Sequence, residues 1–284
     1  MEGFRFAAGE FASTVSVWDL RTRTRVSEFE TTLDYGGNRL AINPRGDICA
    51  IASYEFGGLA CYASETGKVI NVREGLEELQ YVSFSPDGRR LYCCSDCGPC
   101  VVLDADTRAV LSKYSSFNRI FCSRFCDLEL RCKPRGKRME ICKVLEGTVT
   151  SFEGTTFALL HAEFGPDRVC ISESAGPVRC MDSQHGREIW RYEPPKGSHA
   201  LALAYCQENG HFHGVEWPYF SGGPKTLLQF NYETGKPLPI AKLGEPSAVV
   251  VFCSQGSALL TSDGDLISVV NGVSERAFAF PDLE

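Results

Sequence analysis

The sequence is organised by a repeat. An apolar stretch, an Asp or a substitute for it, and a polar turn recur along the chain about every 42 residues. Seven copies are present: SVWDLRTR, CYASETGK, VVLDADTR, KVLEGTVT, RCMDSQHG, LQFNYETG and SVVNGVSE. The Asp position of the successive copies is Asp19, Ala63, Asp104, Glu146, Asp182, Asn231 and Asn271. Asp and Asn suit this position because their side chains accept hydrogen bonds from the backbone of the following turn.

Each repeat also has an upstream half, which is clearest in YVSFSPDGRRLYCCS. Two apolar alternating runs flank Ser85-Pro86-Asp87-Gly88, a pattern that predicts a strand, a tight turn and a second strand. Related stretches are LAINPRGDICAIAS, AEFGPDRVCISES and VVFCSQGSALLTS. Short, evenly spaced strands with Gly-bearing turns and almost no helical periodicity indicate an all-β fold.

Four strands in each of seven repeats are typical of a β-propeller. SVWDLRTR and VSFSPDGRRLYCCS resemble the repeats of WD-repeat (WD40-like) seven-bladed β-propellers, and HGREIWRYEP at 185–194 resembles the quinoprotein-type repeat. The resemblance implies a single domain over 1–284, with four antiparallel strands per blade around a central channel. Few residues precede SVWDL, so three strands are the alternative for blade one. The expected blades are 2–33, 38–74, 79–117, 118–155, 157–196, 199–244 and 246–281.

Composition restricts the class of partner. The chain has 29 basic and 36 acidic residues and a net charge of −7, which opposes general attraction to nucleic acid or to anionic membranes. No apolar run approaches the roughly 20 residues that span a bilayer, and the first residues do not resemble a signal peptide. We therefore expect a cytoplasmic protein without membrane association, whose 14 cysteines are reduced thiols.

A cluster of cysteines in LYCCSDCGPCVVLD raises the question of a metal site. The same hairpin in blade five, VCISESAGPVRCMD, has no Cys at the four equivalent positions, so the fold itself does not require them. Adjacent strand residues point to opposite faces, which leaves Cys94, Cys97 and Cys100 as candidate ligands, and structural zinc usually has four. We predict free, packed thiols and no cofactor, with a metal and redox sensing as the alternatives.

The segment HFHGVEW offers a second candidate for metal binding. His211 and His213 lie two residues apart, and this spacing places both imidazoles on one face of a strand. Metal ligation is one interpretation, and the other is that the two side chains face solvent or the channel. The sequence predicts the latter and does not identify a small-molecule ligand.

Blade four carries a concentration of positive charge. Residues 119–143 contain eight basic and three acidic residues, a local charge of +5. Five of the basic residues belong to one predicted hairpin, RCKPRGKR: Arg131, Lys133, Arg135, Lys137 and Arg138. This hairpin is a candidate for contact with an acidic protein surface, a phosphate or single-stranded nucleic acid, and the alternative is a solvated turn.

Blade six carries a connection that is longer than those of its sister blades. Its tip, VEWPYFSGGPKT, holds Trp217, Tyr219 and Phe220 beside Pro and Gly residues. Aromatic side chains of this kind dominate binding hot spots. The alternative is that they fold inward over the edge of the blade.

The sequence contains no phosphate-binding loop, dinucleotide fingerprint, HExxH or GxSxG motif. We therefore expect a non-catalytic scaffold for protein–protein interaction that binds a protein partner through its loops, for example as a toxin-neutralising immunity protein. Two alternatives remain. One is a hydrolase or lactonase acting at the channel mouth, and the other is a phosphate or nucleic-acid binder that uses the hairpin of blade four.

Overall fold

The computed structural model consists of strands and turns. It describes residues 5–9, 14–31, 39–53, 58–73, 76, 79–95, 99–117, 119–123, 125–133, 138–145, 147–154, 159–173, 176–218, 224–243, 250–253, 257–261 and 265–276. Within these ranges every regular element is a β-strand, as the alternating sequence pattern predicts. None of the described residues forms a helix long and apolar enough to cross a bilayer.

The first three sheets are built from consecutive strands. Sheet one has three strands, β1 (Arg5–Gly9), β2 (Thr14–Asp19) and β3 (Thr24–Glu30). Sheet two has four, β4 (Arg39–Ile42), β5 (Ile48–Ser53), β6 (Gly58–Ala63) and β7 (Val69–Arg73). Sheet three also has four, β8 (Leu79–Phe84), β9 (Arg90–Ser95), β10 (Cys100–Asp104) and β11 (Val110–Tyr114).

The remaining four sheets repeat the four-stranded pattern. Sheet four contains β12 (Arg119–Cys122), β13 (Leu128–Cys132), β14 (Arg138–Lys143) and β15 (Thr148–Glu153). Sheet five contains β16 (Leu159–Phe164), β17 (Arg168–Glu173), β18 (Val178–Asp182) and β19 (Glu188–Tyr192). Sheet six contains β20 (Ser198–Cys206), β21 (His211–Pro218), β22 (Lys225–Phe230) and β23 (Pro237–Leu243). Sheet seven contains β24 (Val250–Cys253), β25 (Ala258–Thr261), β26 (Asp265–Ser268) and β27 (Ser274–Arg276).

Two compact units are distinguished by their internal contacts: Met1–Ile120 with Arg131–Pro134, and Phe121–Leu130 with Arg135–Glu284. In the first unit, inward residues of sheets two and three form one apolar cluster that includes Ile48, Leu59 and Leu91. In the second unit, sheets five and six pack around a cluster rich in aromatic residues, with Trp190 and Phe212 among its members. The middle two strands of each sheet supply most of these buried side chains.

The turn between the last two strands of a sheet explains the Asp of the repeat. The Asp19 carboxylate accepts hydrogen bonds from the backbone N–H groups of Arg21 (2.8 Å) and Thr22 (3.1 Å). Asp104, Asp182 and Asn231 accept the same pair of bonds in their own turns. These bonds to ionised oxygen lower the pKa of Asp104. The predicted role of the repeat position is therefore confirmed in these four turns.

Two of the repeat positions were assigned wrongly. The residue after the Asp position donates its N–H to the turn between the first two strands, as Ser183 does to Asp167 O. In sheet four this donor is Val144 and in sheet seven it is Val269, so the equivalent positions are Lys143 and Ser268. Glu146 and Asn271 lie three residues further on. The error arose because, in the sequence, a polar residue three positions further on resembled the Asp of the repeat.

The turn of sheet two lacks the capping side chain, because Ala63 occupies the Asp position. The backbone there has the same hydrogen bond as its sisters, from Gly67 N to Ala63 O. We expect Ala63→Asp to stabilise the protein by about 1 kcal/mol, because the new carboxylate would accept hydrogen bonds from the backbone of this turn, as Asp19, Asp104 and Asp182 do in theirs. Asn231→Ala should lower the free energy of unfolding by a similar amount. Urea denaturation of both variants tests this, and an unchanged midpoint for both would contradict it.

A β-bulge recurs between the last two strands of a sheet. One extra residue in the last strand shifts the register in each of the first six sheets. The extra residue is aliphatic every time: Val26, Ile70, Leu111, Val149, Ile189 and Ile240. The last strand is an edge strand, and a bulge increases its twist and hinders pairing with a foreign strand.

Candidate partner-binding site

The site with the clearest binding chemistry lies in sheet six, where β21 ends at its hairpin. Trp217 pairs in register with His199 of β20 on one side. Glu216 pairs with Thr226, so Trp217 is the next residue along and lies beside Lys225 of β22. The Lys225 ammonium nitrogen lies 5.2 Å from the centroid of the Trp217 ring. Trp217 and His199 are half-buried, whereas Lys225 is only 9% exposed.

The neighbouring residue, Glu216, points to the opposite face of the sheet because successive strand residues alternate. Its carboxylate accepts a hydrogen bond from the hydroxyl of Tyr192, which ends the outer strand of sheet five. Burial and this carboxylate raise the pKa of Tyr192, so the phenol stays protonated at neutral pH. Side chains are thus held on both faces at this end of sheet six: Tyr192 bonds to Glu216 on one face, and Lys225 lies over Trp217 on the other.

Trp217 differs from the other tryptophans. The chain has three, and Trp18 and Trp190 are 8% and 6% exposed. Trp190 donates its indole N–H to Tyr232 O at 2.9 Å and stacks on Phe230, so it belongs to the core. Trp217, at the hairpin end, is the tryptophan that remains partly accessible. Tyr219 and Phe220, the other predicted members of this site, lie outside the described residues.

Known structures share this succession of sheets. The C-terminal WD40 domain of Sif2 superposes with a TM-score of 0.66 and 12% identity, covering 93% of this chain and 78% of that one. The β-propeller domain of Myceliophteria thermophila Cps50 (Swd1) has a TM-score of 0.70 and 11% identity, covering 96% and 93%. The fold is that of a β-propeller. Its seven sheets are the blades, and blade one has three described strands.

One of the similar solved structures is an enzyme. The dihydro-heme d1 dehydrogenase NirN superposes on the propeller with a TM-score of 0.65 and 16% identity, covering 95% of this chain and 72% of that one. No protein-family model and no curated protein matches the sequence. At these identities the neighbours establish the fold, and function has to be argued from the side chains.

The described basic residues of the blade four hairpin do not form a row of exposed cations. Arg131 is 5% exposed, its guanidinium carbon lies 4.2 Å from the centroid of the Tyr114 ring, and it donates to the Tyr114 hydroxyl at 3.0 Å. The Lys133 ammonium lies over Phe117, and exposed Arg138 lies 3.5 Å from Glu140. Arg135 and Lys137 are outside the described residues. The described cations are thus engaged within the propeller.

Tyr114 and Tyr192 occupy equivalent positions in blades three and five. Each pairs with the first residue of the preceding strand, Cys100 and Val178 respectively. Each also bonds to the second strand of the next blade, since Tyr114 accepts from Arg131 and Tyr192 donates to Glu216. The two contacts between blades therefore use a tyrosine hydroxyl at the equivalent position. The partner is an arginine in one contact and a glutamate in the other.

The cysteine hairpin of blade three holds a pair of thiols. Cys94 and Cys100 are both fully buried and hydrogen-bonded to each other, and burial raises the pKa of Cys94. Cys97 lies outside the described residues. Among the residues that the structure does describe, no three His, Cys, Asp or Glu side chains are arranged to hold a metal ion.

The burial of the cysteines makes their reactivity testable. We expect brief treatment of the native protein with iodoacetamide to modify Cys122 and Cys126, which are partly exposed, and to leave the ten buried cysteines intact. In guanidinium chloride all of them should react. Peptide mapping by mass spectrometry measures both states, and rapid labelling of Cys94 or Cys100 in the native protein would contradict the structure.

The two histidines of β21 differ in exposure. His213 is fully buried, so the expectation that both side chains face solvent or the channel is wrong for His213, whereas His211 is partly exposed. Burial lowers the pKa of His213 to about 4, so its imidazole is neutral at pH 7. Sequence reasoning also missed His199 and Lys225 as neighbours of Trp217, because their proximity depends on strand register.

Proposed function

We propose that this propeller is a non-catalytic protein-binding platform and that its partner docks on the hairpin end of blade six. The observation that carries the proposal is the partial exposure of Trp217 beside Lys225, while Trp18 and Trp190 are buried. Tryptophan is among the residues most enriched at interface hot spots. The similarity to WD40 domains supports a binding role only at the level of the fold.

The indole of Trp217 is held before any partner arrives. Its strand is paired on both sides, and its ring has the Lys225 ammonium on one side and the His199 strand on the other. A side chain that is already ordered loses little conformational entropy on binding. The exposed part of the ring can therefore contribute its apolar contact with little opposing cost.

The nature of the partner is a further part of the proposal. A toxin that the propeller neutralises is the partner we favour, because rigid blades that present a fixed aromatic anchor suit tight inhibition. We place this activity in the cytoplasm, since all 12 described cysteines are free thiols and ten of them are buried.

Affinity capture from native lysate of the source organism tests the proposal. We expect the wild-type chain to retain one protein in stoichiometric amount, and Trp217→Ala to lose it. Ile189→Ala is the matched control, because it also removes an exposed apolar side chain, 39% exposed, but from the outer strand of blade five. Equal capture by both variants, or capture by neither the wild type nor the control, would count against the proposal.

A further inference from the structure

Two pairs of cysteines face each other across the second and third strands of their blades. In blade five, Cys170 pairs in register with Cys180. In blade three, the register of β9 with β10 places Cys94 opposite Cys100. All four side chains are fully buried, and a hydrogen bond joins the two thiols of each pair.

Both cysteine pairs occupy the positions at which the two strands approach most closely. Opposed residues of an antiparallel sheet alternate between pairs that exchange backbone hydrogen bonds and pairs that do not, and the latter have Cα atoms about 4.5 Å apart. In blade five, Ser183 N donates to Asp167 O at 3.0 Å, and the cysteine pair lies three pairs further along. In blade three, Ala105 N donates to Arg89 O at 2.8 Å, and the cysteine pair lies five pairs further along. Both numbers are odd, so neither cysteine pair exchanges backbone hydrogen bonds.

This position allows a disulfide bond across the two strands. Disulfides join residues whose Cα atoms are roughly 4.4–6.8 Å apart and whose Cβ atoms point toward each other. Residues opposed in register point to the same face of the sheet, and Cys170 and Cys180 indeed belong to one buried cluster. Either pair can therefore be linked while the strands stay paired.

Blade two provides a comparison in which the register forbids the link. Cys49 of β5 and Cys61 of β6 are as buried as the other two pairs. Cys49 lies opposite Tyr62, however, and Cys61 lies opposite Ala50, so the two cysteines are one position out of register. They point to opposite faces, because Cys61 belongs to the cluster shared with sheet three and Cys49 to the cluster that includes Val15. A disulfide between them would require one strand to shift.

We propose that the opposed cysteines of blades three and five are sites of reversible oxidation, at which hydrogen peroxide converts each pair of thiols into a disulfide. One sulfur attacks a peroxide oxygen, the O–O bond breaks, and a sulfenic acid forms as water leaves. The second thiol then attacks the sulfenic sulfur, forms the S–S bond and releases another water. Each pair of thiols loses two electrons in total, and one peroxide is reduced to two molecules of water.

Burial determines the rate of this oxidation, and the position in the hairpin determines its order. Burial raises the pKa of Cys94 and of Cys170, so little of the reactive thiolate is present while the blade is closed. The oxidation is therefore slow, in keeping with the expected resistance of these thiols to brief alkylation. Cys100 is the first residue of β10, at the hairpin end, whereas Cys180 lies inside β18. Strand ends open more readily than strand centres, so we expect blade three to be oxidised before blade five.

Overnight exposure of the native full-length chain to millimolar hydrogen peroxide tests the proposal. We expect peptide mapping without reduction to find both opposed pairs linked, blade three first, in at least about tenfold higher yield than a Cys49–Cys61 link. Dithiothreitol should restore the four thiols. In guanidinium chloride, where the register is lost, the Cys49–Cys61 link should form as well.

Cys100→Ala is the variant that tests the pairing in blade three. It should leave Cys94 unlinked, while the disulfide of blade five forms at the rate seen in the wild type. Thiols that persist at both opposed pairs of the native wild type would overturn the proposal. Equal yields of the Cys49–Cys61 link and the opposed pairs in the native protein would also overturn it, because strand register would then not select the partners.

Discussion

Between pH 6.5 and pH 4 the protein is expected to lose about 3 kcal/mol of its free energy of unfolding through His213 alone. The pKa of this residue is about 4 in the folded protein and 6.5 in the unfolded chain. Because the folded pKa is the lower one, the unfolded chain takes up the proton first as the pH falls. The stabilisation is complete above pH 6.5 and is lost progressively down to pH 4.

The surroundings of His213 explain the size of the effect. Burial is the largest cause of the low pKa, and the nearby His211 opposes a second positive charge. Cys206 pairs with His211 across β20, and Gln229 and Asn209 are neutral. The described residues of sheet seven in this cluster are Leu259, Ile267 and Val269, which cannot offset a charge.

Urea denaturation at pH 7 and at pH 4.5 measures this effect. His213→Gln should be less dependent on pH than the wild type over this interval, whereas His185→Gln should follow the wild type. Carboxylates such as Asp104 and Glu188 have lowered pKa values and lose their stabilising charge at lower pH, so they affect the wild type and His213→Gln alike. Parallel losses in wild type and His213→Gln would contradict the assignment.

Gly235→Ala is expected to destabilise the protein by about 3 kcal/mol, because two penalties combine. Gly235 has φ +66°, a left-handed conformation that L-residues adopt at a cost. A Cβ at this position would lie 2.5 Å from Cδ2 and Cε3 of Trp190. Trp190 cannot easily move, since it stacks on Phe230 and its indole N–H bonds to Tyr232 O.

Gly210→Ala is the matched control for this substitution. Gly210 has a similar φ of +69°, but the nearest atom to its added Cβ is the Tyr205 hydroxyl at 3.8 Å. We expect this control to lose only about 1 kcal/mol, the conformational part of the penalty. Comparing the denaturation of the two variants separates the conformational cost of a positive φ from the cost of the steric overlap with Trp190. Equal losses would show that Trp190 does not limit the space at position 235.

Local sequence signals predicted most of the fold because the interactions they report are local. The turn Ser85-Pro86-Asp87-Gly88 forms through contacts between near neighbours, with Gly88 at φ +71° and its N–H bonded to Ser85 O. The Asp19 cap likewise reaches only three residues along the chain. Signals of this range can be identified from single segments, and they predicted the strand order.

The features that the sequence did not predict depend on strand register. The bulges at Ile70, Leu111 and Ile189 each insert one aliphatic residue into a strand. The apolar pattern of the sequence does not change there, so the pattern does not predict the bulges. Lys225 becomes a neighbour of Trp217 only through the pairing of β21 with β22. The burial of Arg131 was missed for a related reason, because its aromatic partner Tyr114 belongs to the preceding blade.

Fluorine NMR of the protein labelled with 5-fluorotryptophan tests the central claim most directly. The three tryptophans give three resonances, and Trp217→Phe assigns the one at the hairpin end of blade six. On addition of the captured partner, the Trp217 resonance should shift or broaden, while those of buried Trp18 and Trp190 stay in place. A partner that binds and leaves the Trp217 resonance unchanged would contradict docking at this site.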